Sequence, residues 1–84
     1  MRFSVHVEVR GLEGIADPEG RTIERALPAL GFDGVTGVRV GKVIRFTLDA
    51  ADESAARGEV DEMCKRLLAN PVIEQAEVTI TSGE

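Results

Sequence analysis

Residues 2–10 read RFSVHVEVR, and the alternation of Phe3, Val5, Val7 and Val9 with Arg2, Ser4, His6, Glu8 and Arg10 constrains the fold more than any other feature of the chain. Successive side chains of a strand point to opposite faces, so this stretch specifies a strand with one apolar and one polar face. Such a strand needs neighbours to pair with and a layer to cover its apolar side. The 84 residues are read as one domain spanning 1–84. A domain of this size buries a modest fraction of its surface, so self-association or a partner is expected.

The remaining elements follow from period and punctuation. Glycines in GLEGIADPEG interrupt the first strand. Asp17 followed by Pro18 reads as N-cap and first helical residue, because proline needs no amide hydrogen there. Ile23, Ala26, Leu27 and Leu30 then share one helical face, and Gly31 is a natural stop. Pro28 inside this helix predicts a weak last turn. Val38 and Val40, then Ile44, Phe46 and Leu48, predict a hairpin connected through Gly41 to Val43, which pairs Val40 with Ile44 and Val38 with Phe46. Asp52 caps a second helix, about Glu53 to Ala69, whose apolar stripe is Ala56, Val60, Met63, Cys64 and Leu67. Asp61/Lys65 and Glu62/Arg66 stand at i,i+4 spacing on it. Asn70-Pro71 ends the helix, and Ala76, Val78 and Ile80 alternate as a last strand. The order β-α-β-β-α-β specifies an α+β, ferredoxin-like fold: an antiparallel sheet with two helices on one face.

Composition narrows the function. A net charge of −5, with no Trp or Tyr and three Phe, excludes the basic stripe and stacking aromatics of a nucleic-acid binder. No apolar run reaches the roughly 18 residues of a membrane span, and the first residues lack a secretory apolar core, so a cytoplasmic protein is expected. The single cysteine, Cys64, forms neither an internal disulfide nor a multi-cysteine metal site. It sits late in a helix on the apolar stripe, where the helix dipole disfavours a thiolate. His6 is the only imidazole, on the polar face of the first strand, with the sheet between it and the helices. Glu13, Asp17 and Glu19 cluster before the first helix, where carboxylates serve the cap and the dipole. GVRVGKV, residues 37–43, lacks the spacing and the Ser/Thr of a P-loop. No catalytic constellation and no metal site emerges. What is left is an open polar sheet face carrying Arg2, Ser4, His6, Glu8, Arg39, Arg45, Thr47, Glu77 and Thr79.

Four segments in register, DPEG at 17–20, LGF at 30–32, VRVGK at 38–42 and MCKRLLANPVIE at 63–74, resemble the PurS family, the small subunits of phosphoribosylformylglycinamidine synthase. The resemblance runs from Phe3 to about Val78. It implies a non-catalytic subunit of an ATP- and glutamine-dependent ligase complex of purine biosynthesis. Such a subunit bridges a glutaminase subunit and a synthetase subunit and supports assembly and ammonia transfer. It also implies a homodimer, or a tetramer made of two dimers, and no cofactor in this chain, since ATP and magnesium belong to the synthetase partner. Carried over by position, Arg39, Gly41, Lys42, Asn70 and Glu74 are candidate contact residues. Glu19 stands where the family often has Gln, and Ala76 where it usually has an aromatic. An amino-acid-sensing module of the ACT type shares this topology and is the alternative reading.

Overall fold

The computed structural model describes residues 1–83. Its three strands are β1 (Arg2–Gly11), β2 (Gly41–Asp49) and β3 (Glu74–Ser82), and its two α-helices are α1 (Pro18–Ala26) and α2 (Glu53–Met63). The sheet is antiparallel with order β2-β1-β3, so the alternating strand read first in the sequence is its centre. The α+β, ferredoxin-like class holds.

Register follows side-chain chemistry. Val5 lies between Phe46 and Ile80, and Val7 between Ile44 and Val78, so the apolar sets of all three strands share one face. Helix α2 covers that face. Phe3, Val5, Val7, Val9 and Ile80 from the sheet form a single core with Ala56, Val60 and Cys64. Val7 and Val60 are fully buried, each burial contributing about 1.5–3 kcal/mol. The surface ion pair Arg2–Asp49, at 3.7 Å, contributes about 1 kcal/mol or less. Packing of β1 against α2 therefore dominates stability.

The hairpin does not form. β1 is ten residues long, and its ladder takes Gly41, Lys42 and Val43 as partners of Arg10, Val9 and Glu8. Those three residues are strand, so no turn is available to fold Val38–Val40 back onto β2. The pairings of Val40 with Ile44 and Val38 with Phe46 are absent, and the sheet has three strands, not four.

The region before β2 is built around α1. Asp17 caps it by accepting the Gly20 amide at 2.9 Å, with Pro18 behind it. The expected weak end is real: at Leu27–Leu30 the helix tightens into a 3-10 turn, closed by Gly31 at φ 98°. Only Gly20 of α1 is buried, and α1 adds nothing to the sheet core. It packs instead on the Val38–Val40 segment. The molecule measures 51 × 29 × 14 Å with a radius of gyration of 16.5 Å. A compact chain of 84 residues has about 12 Å.

Helix α2 departs from expectation at its end. Cys64–Leu68 form a π turn, closed by the Ala69 amide on the Cys64 carbonyl at 3.1 Å. The extra residue rotates the following positions. Leu67, expected on the apolar stripe, is 83% exposed, and Leu68 takes the half-buried place beside the core. Asp61/Lys65 and Glu62/Arg66 are not among the ion pairs of the described residues.

Gly20 is required by contact, since a Cβ there would lie 2.5 Å from the Val38 carbonyl oxygen. Gly20→Ala is expected to destabilise by about 1–3 kcal/mol, the cost of overpacking. In an unobstructed helix the same change would stabilise by about 1 kcal/mol. Urea unfolding distinguishes the two, and a raised midpoint would refute the close approach.

Candidate functional site

The candidate residues lie at the Gly11 end of the sheet. There β1 finishes, β2 begins at Gly41, and β3 begins at Glu74, paired with Gly11. Arg39, Gly41 and Lys42 line one shallow cleft at this end, with Glu8, Arg10 and Gln75. Arg39 and Glu74 line a second, with Gly11 and Asp17. Asn70 is joined to Glu74 by two hydrogen bonds. Its amide donates to Glu74 Oε1 at 2.8 Å, and its carbonyl accepts the Glu74 amide at 2.7 Å. Asn70 Oδ1 also accepts the Val72 amide at 3.1 Å. The five residues singled out in the sequence thus belong to one end of the molecule. Asn70 and Glu74 build the turn that carries the chain from the π turn into β3.

Asp17 organises this end, and the sequence reading gave it only a cap. One oxygen accepts the Gly20 amide; the other accepts the Val40 amide at 2.8 Å, across 23 residues, and lies 3.5 Å from Arg39 Nε. Glu24 repeats the arrangement two turns further along, accepting the Val38 amide at 3.0 Å. Two carboxylates of α1 therefore hold alternate amides of an extended segment, as a neighbouring strand would. No local pattern announces a contact between residues so far apart.

The amides of Val40 and then Gly20 hold the Asp17 carboxyl below its ordinary value of 3.8, helped by Arg39 and opposed by burial. A depressed carboxylate contributes stability above its unfolded value and loses it as pH falls through the folded one. The tie between α1 and Val40 is therefore intact above pH 3.8 and is lost only as pH falls through the lowered folded value. In an NMR titration the Gly20 and Val40 amides are expected to shift together with a midpoint under 3.8; separate midpoints, or one above that value, would refute the shared carboxylate.

Cys64 lies in the core among Val60, Ile80 and the strand valines. Burial, and then the nearby Asp61 charge, push its thiol above the usual value of 9.0. His6 is exposed on the opposite face of the sheet, so no imidazole reaches the thiol. A nucleophile needs the reverse arrangement: access and a lowered pKa. Cys64 is accordingly expected to resist a thiol reagent at pH 7 in the native protein and to react on unfolding. Stoichiometric labelling of the folded chain would contradict this.

The open face has no covering layer. His6 stands between Arg45 and Thr79, and Glu8 lies opposite Glu77. Arg10 relieves the like-charge pair, with nitrogens 4.0 Å from Glu8 and 3.6 Å from Glu77. Among the described residues no cluster of three His, Cys, Asp or Glu side chains is placed to hold a metal ion, and no helix is long and apolar enough to cross a membrane.

Residues 4–82 match the family model described as PurS, phosphoribosylformylglycinamidine (FGAM) synthase. The chain is 42% identical over 82 residues to the PurS subunit of this synthase from Methanocaldococcus jannaschii, covering 98% of this chain and 99% of the relative. It is 44% identical over 84 residues to the subunit from Methanothermobacter thermautotrophicus, covering 100% and 99%. The crystal structure of Methanocaldococcus jannaschii PurS, described as one of the subunits of formylglycinamide ribonucleotide amidotransferase, superposes with a TM-score of 0.87 at 41% identity, covering 98% of this chain and 99% of that one. A chain in the structure of PurLQS from Thermotoga maritima superposes at 0.89 with 33% identity, covering 96% and 99%.

Proposed function

The chain belongs to the PurS family, and from that premise we propose that it is the non-catalytic small subunit of phosphoribosylformylglycinamidine synthase. In that complex it associates with itself and bridges a glutaminase subunit and a synthetase subunit. It supports their assembly and the passage of ammonia between them. ATP and magnesium are the synthetase partner's ligands, and the bond-making chemistry of the complex lies outside this chain.

The observation that carries this reading is the family match over residues 4–82, nearly the whole chain. The uses of its reactive side chains agree with it. Cys64 is core, Asp17 and Glu24 hold backbone amides, and Asn70 and Glu74 close a turn. A PurS-like chain in the PurLQS structure supports placing this one in an assembly of that kind.

The Gly11 end is the contact surface we assign to a larger partner, through Arg39, Gly41, Lys42, Asn70 and Glu74. Their roles there differ. Arg39 is tethered by Asp17, which fixes its guanidinium before a partner arrives and lowers the entropy lost on contact. Gly41 lets two backbones approach, since a Cβ on it would lie 2.7 Å from the Val9 carbonyl oxygen. Lys42 is exposed and supplies charge. Asn70 and Glu74 shape the rim.

Reconstitution tests both levels. Glutaminase and synthetase subunits with this chain are expected to give glutamine-dependent synthase activity that falls when the chain is omitted; undiminished activity without it would defeat the proposal. Lys42→Glu is expected to weaken assembly several-fold while thermal unfolding of the isolated chain stays unchanged. Wild-type assembly by that variant would move the contact surface elsewhere.

A further inference from the structure

Helix α1 carries two arginines that the fold itself does not use. Arg21 and Arg25 stand at i,i+4 spacing, one turn apart on the same side of the helix. Like charges at that spacing work against a helix. Sequence spacing offers Arg21 a counter-charge in Asp17, four residues before it. The fold uses that carboxylate elsewhere. One oxygen accepts the Gly20 amide, and the other accepts the Val40 amide and faces Arg39. Glu24, next to Arg25 in the chain, is likewise turned to a backbone amide, that of Val38. Neither Arg21 nor Arg25 belongs to an ion pair among the described residues. Arg25, in the last turn, suits the helix dipole; Arg21 is too far from that end to do so.

Both arginines line a cleft of about 790 Å³ between α1 and the chain that leads into Val38, and Arg39 lines it from the other side. Small-molecule sites span roughly 300–1,000 Å³. Ile15, Pro28 and Val35 give the cleft an apolar wall. Among its lining residues three arginines face two carboxylates, Asp17 and Glu24, so the cleft is locally positive in a chain whose net charge is −5. Ile23, an exposed apolar residue of α1, lies about 200° round the helix from Arg21. The cleft therefore opens on the polar side of α1, away from that residue.

Donor chemistry narrows the ligand. Guanidinium groups bind phosphate and carboxylate oxygens through paired N–H bonds. Two arginines without a counter-charge match a dianion. A phosphate monoester approaches that charge at pH 7 and has three terminal oxygens to share among several guanidinium groups. The aliphatic wall suits an ester with an apolar body, which inorganic phosphate lacks.

We propose that this cleft binds a small-molecule phosphate monoester. Its phosphate lies on Arg21, Arg25 and the free edge of Arg39, and its body lies on Ile15, Pro28 and Val35. Arg39 also borders the clefts at the Gly11 end, so the ligand sits beside the contact surface assigned above without being part of it. The site does not depend on that assignment.

The probe is phenyl phosphate, titrated calorimetrically into the full chain, with inorganic phosphate and benzoate as comparisons. Phenyl phosphate is expected to bind saturably, one molecule per chain, more tightly than either comparison and more weakly as salt is added. The double variant Arg21→Gln/Arg25→Gln removes both charges and keeps good helix formers. It is expected to weaken binding about tenfold or more, through loss of hydrogen bonds from charged groups. Arg57→Gln, in α2 and outside the cleft, is expected to leave the affinity unchanged. Absence of saturable binding at millimolar concentration overturns the site. So does benzoate or inorganic phosphate binding as tightly as phenyl phosphate, or an equal loss in Arg57→Gln and the double variant. Thermal unfolding separates a role in the fold from a role in binding. Without ligand the double variant is expected to unfold at or above the wild-type temperature, because a like-charge pair is gone; a lowered midpoint would show that the arginines serve the fold and would overturn the proposal. Phenyl phosphate is expected to raise the wild-type midpoint and to leave the variant's in place; equal rises in both would overturn it as well. These measurements use the isolated chain, so their outcome is independent of reconstitution with the glutaminase and synthetase subunits.

Discussion

The ladder between Arg2–Gly11 and Gly41–Asp49 decides most of what this molecule is. It runs to the end of β1, so Gly41, Lys42 and Val43 become strand and the preceding segment cannot turn back. From that single register come the three-stranded sheet, the free edge of β2, the half-covered Phe46 and Leu48, and the segment 12–40 carrying α1. A shorter β1 would have freed those three residues for a turn and closed the hairpin. The length of one apolar-polar alternation therefore sets whether Val38–Val40 can turn back onto β2 within the chain.

Energetics divide the chain in two. The valines of β1 against α2 form an apolar core, with no buried polar or charged residue among the described residues, and that half stands on the hydrophobic effect. The segment 12–40 is held together differently. Its two parts, α1 and Val38–Val40, are joined by carboxylate-to-amide bonding, through Asp17 and Glu24, around one close contact at Gly20. Such bonds fix geometry well but bury little apolar area. The segment is thus tied within itself by polar contacts, and α1 adds nothing to the sheet core.

Much of this was legible in the sequence, for physical reasons that differ by element. β1, β2 and β3 were readable because period-two patterning follows directly from burying one face, and their apolar residues do share that face. The caps at Asp17 and Asp52, the weak turn at Pro28 and the stop at Gly31 were readable because each depends on a single residue's backbone chemistry. The hairpin was misread for a definite reason. The alternation of Val38 and Val40 reports which face they occupy and is silent on whose edge they pair with. Leu67 was misread because a π turn adds one residue per turn without a sequence signature, moving a stripe position to the rim. At the candidate site, Arg39, Gly41, Lys42, Asn70 and Glu74 were named from resemblance, and the fold gathers them at one end of the sheet. Asp17's second bond, to Val40, was beyond reach because it spans 23 residues and ordinary cap chemistry already accounted for the side chain.

The same distribution of side chains agrees with the proposed role, in which the chemistry is left to partner subunits. Catalysis needs polar groups that are desolvated and left partly unsatisfied until substrate arrives. Here the buried shell is wholly apolar, with no orphaned side-chain donor or acceptor among the described residues. The polar groups that are ordered already hold backbone amides, and the rest are in water. What the chain keeps unsatisfied is of another sort: a strand edge, an apolar groove and helix faces. Groups of that sort suit contact with another polypeptide better than bond-making on a small substrate.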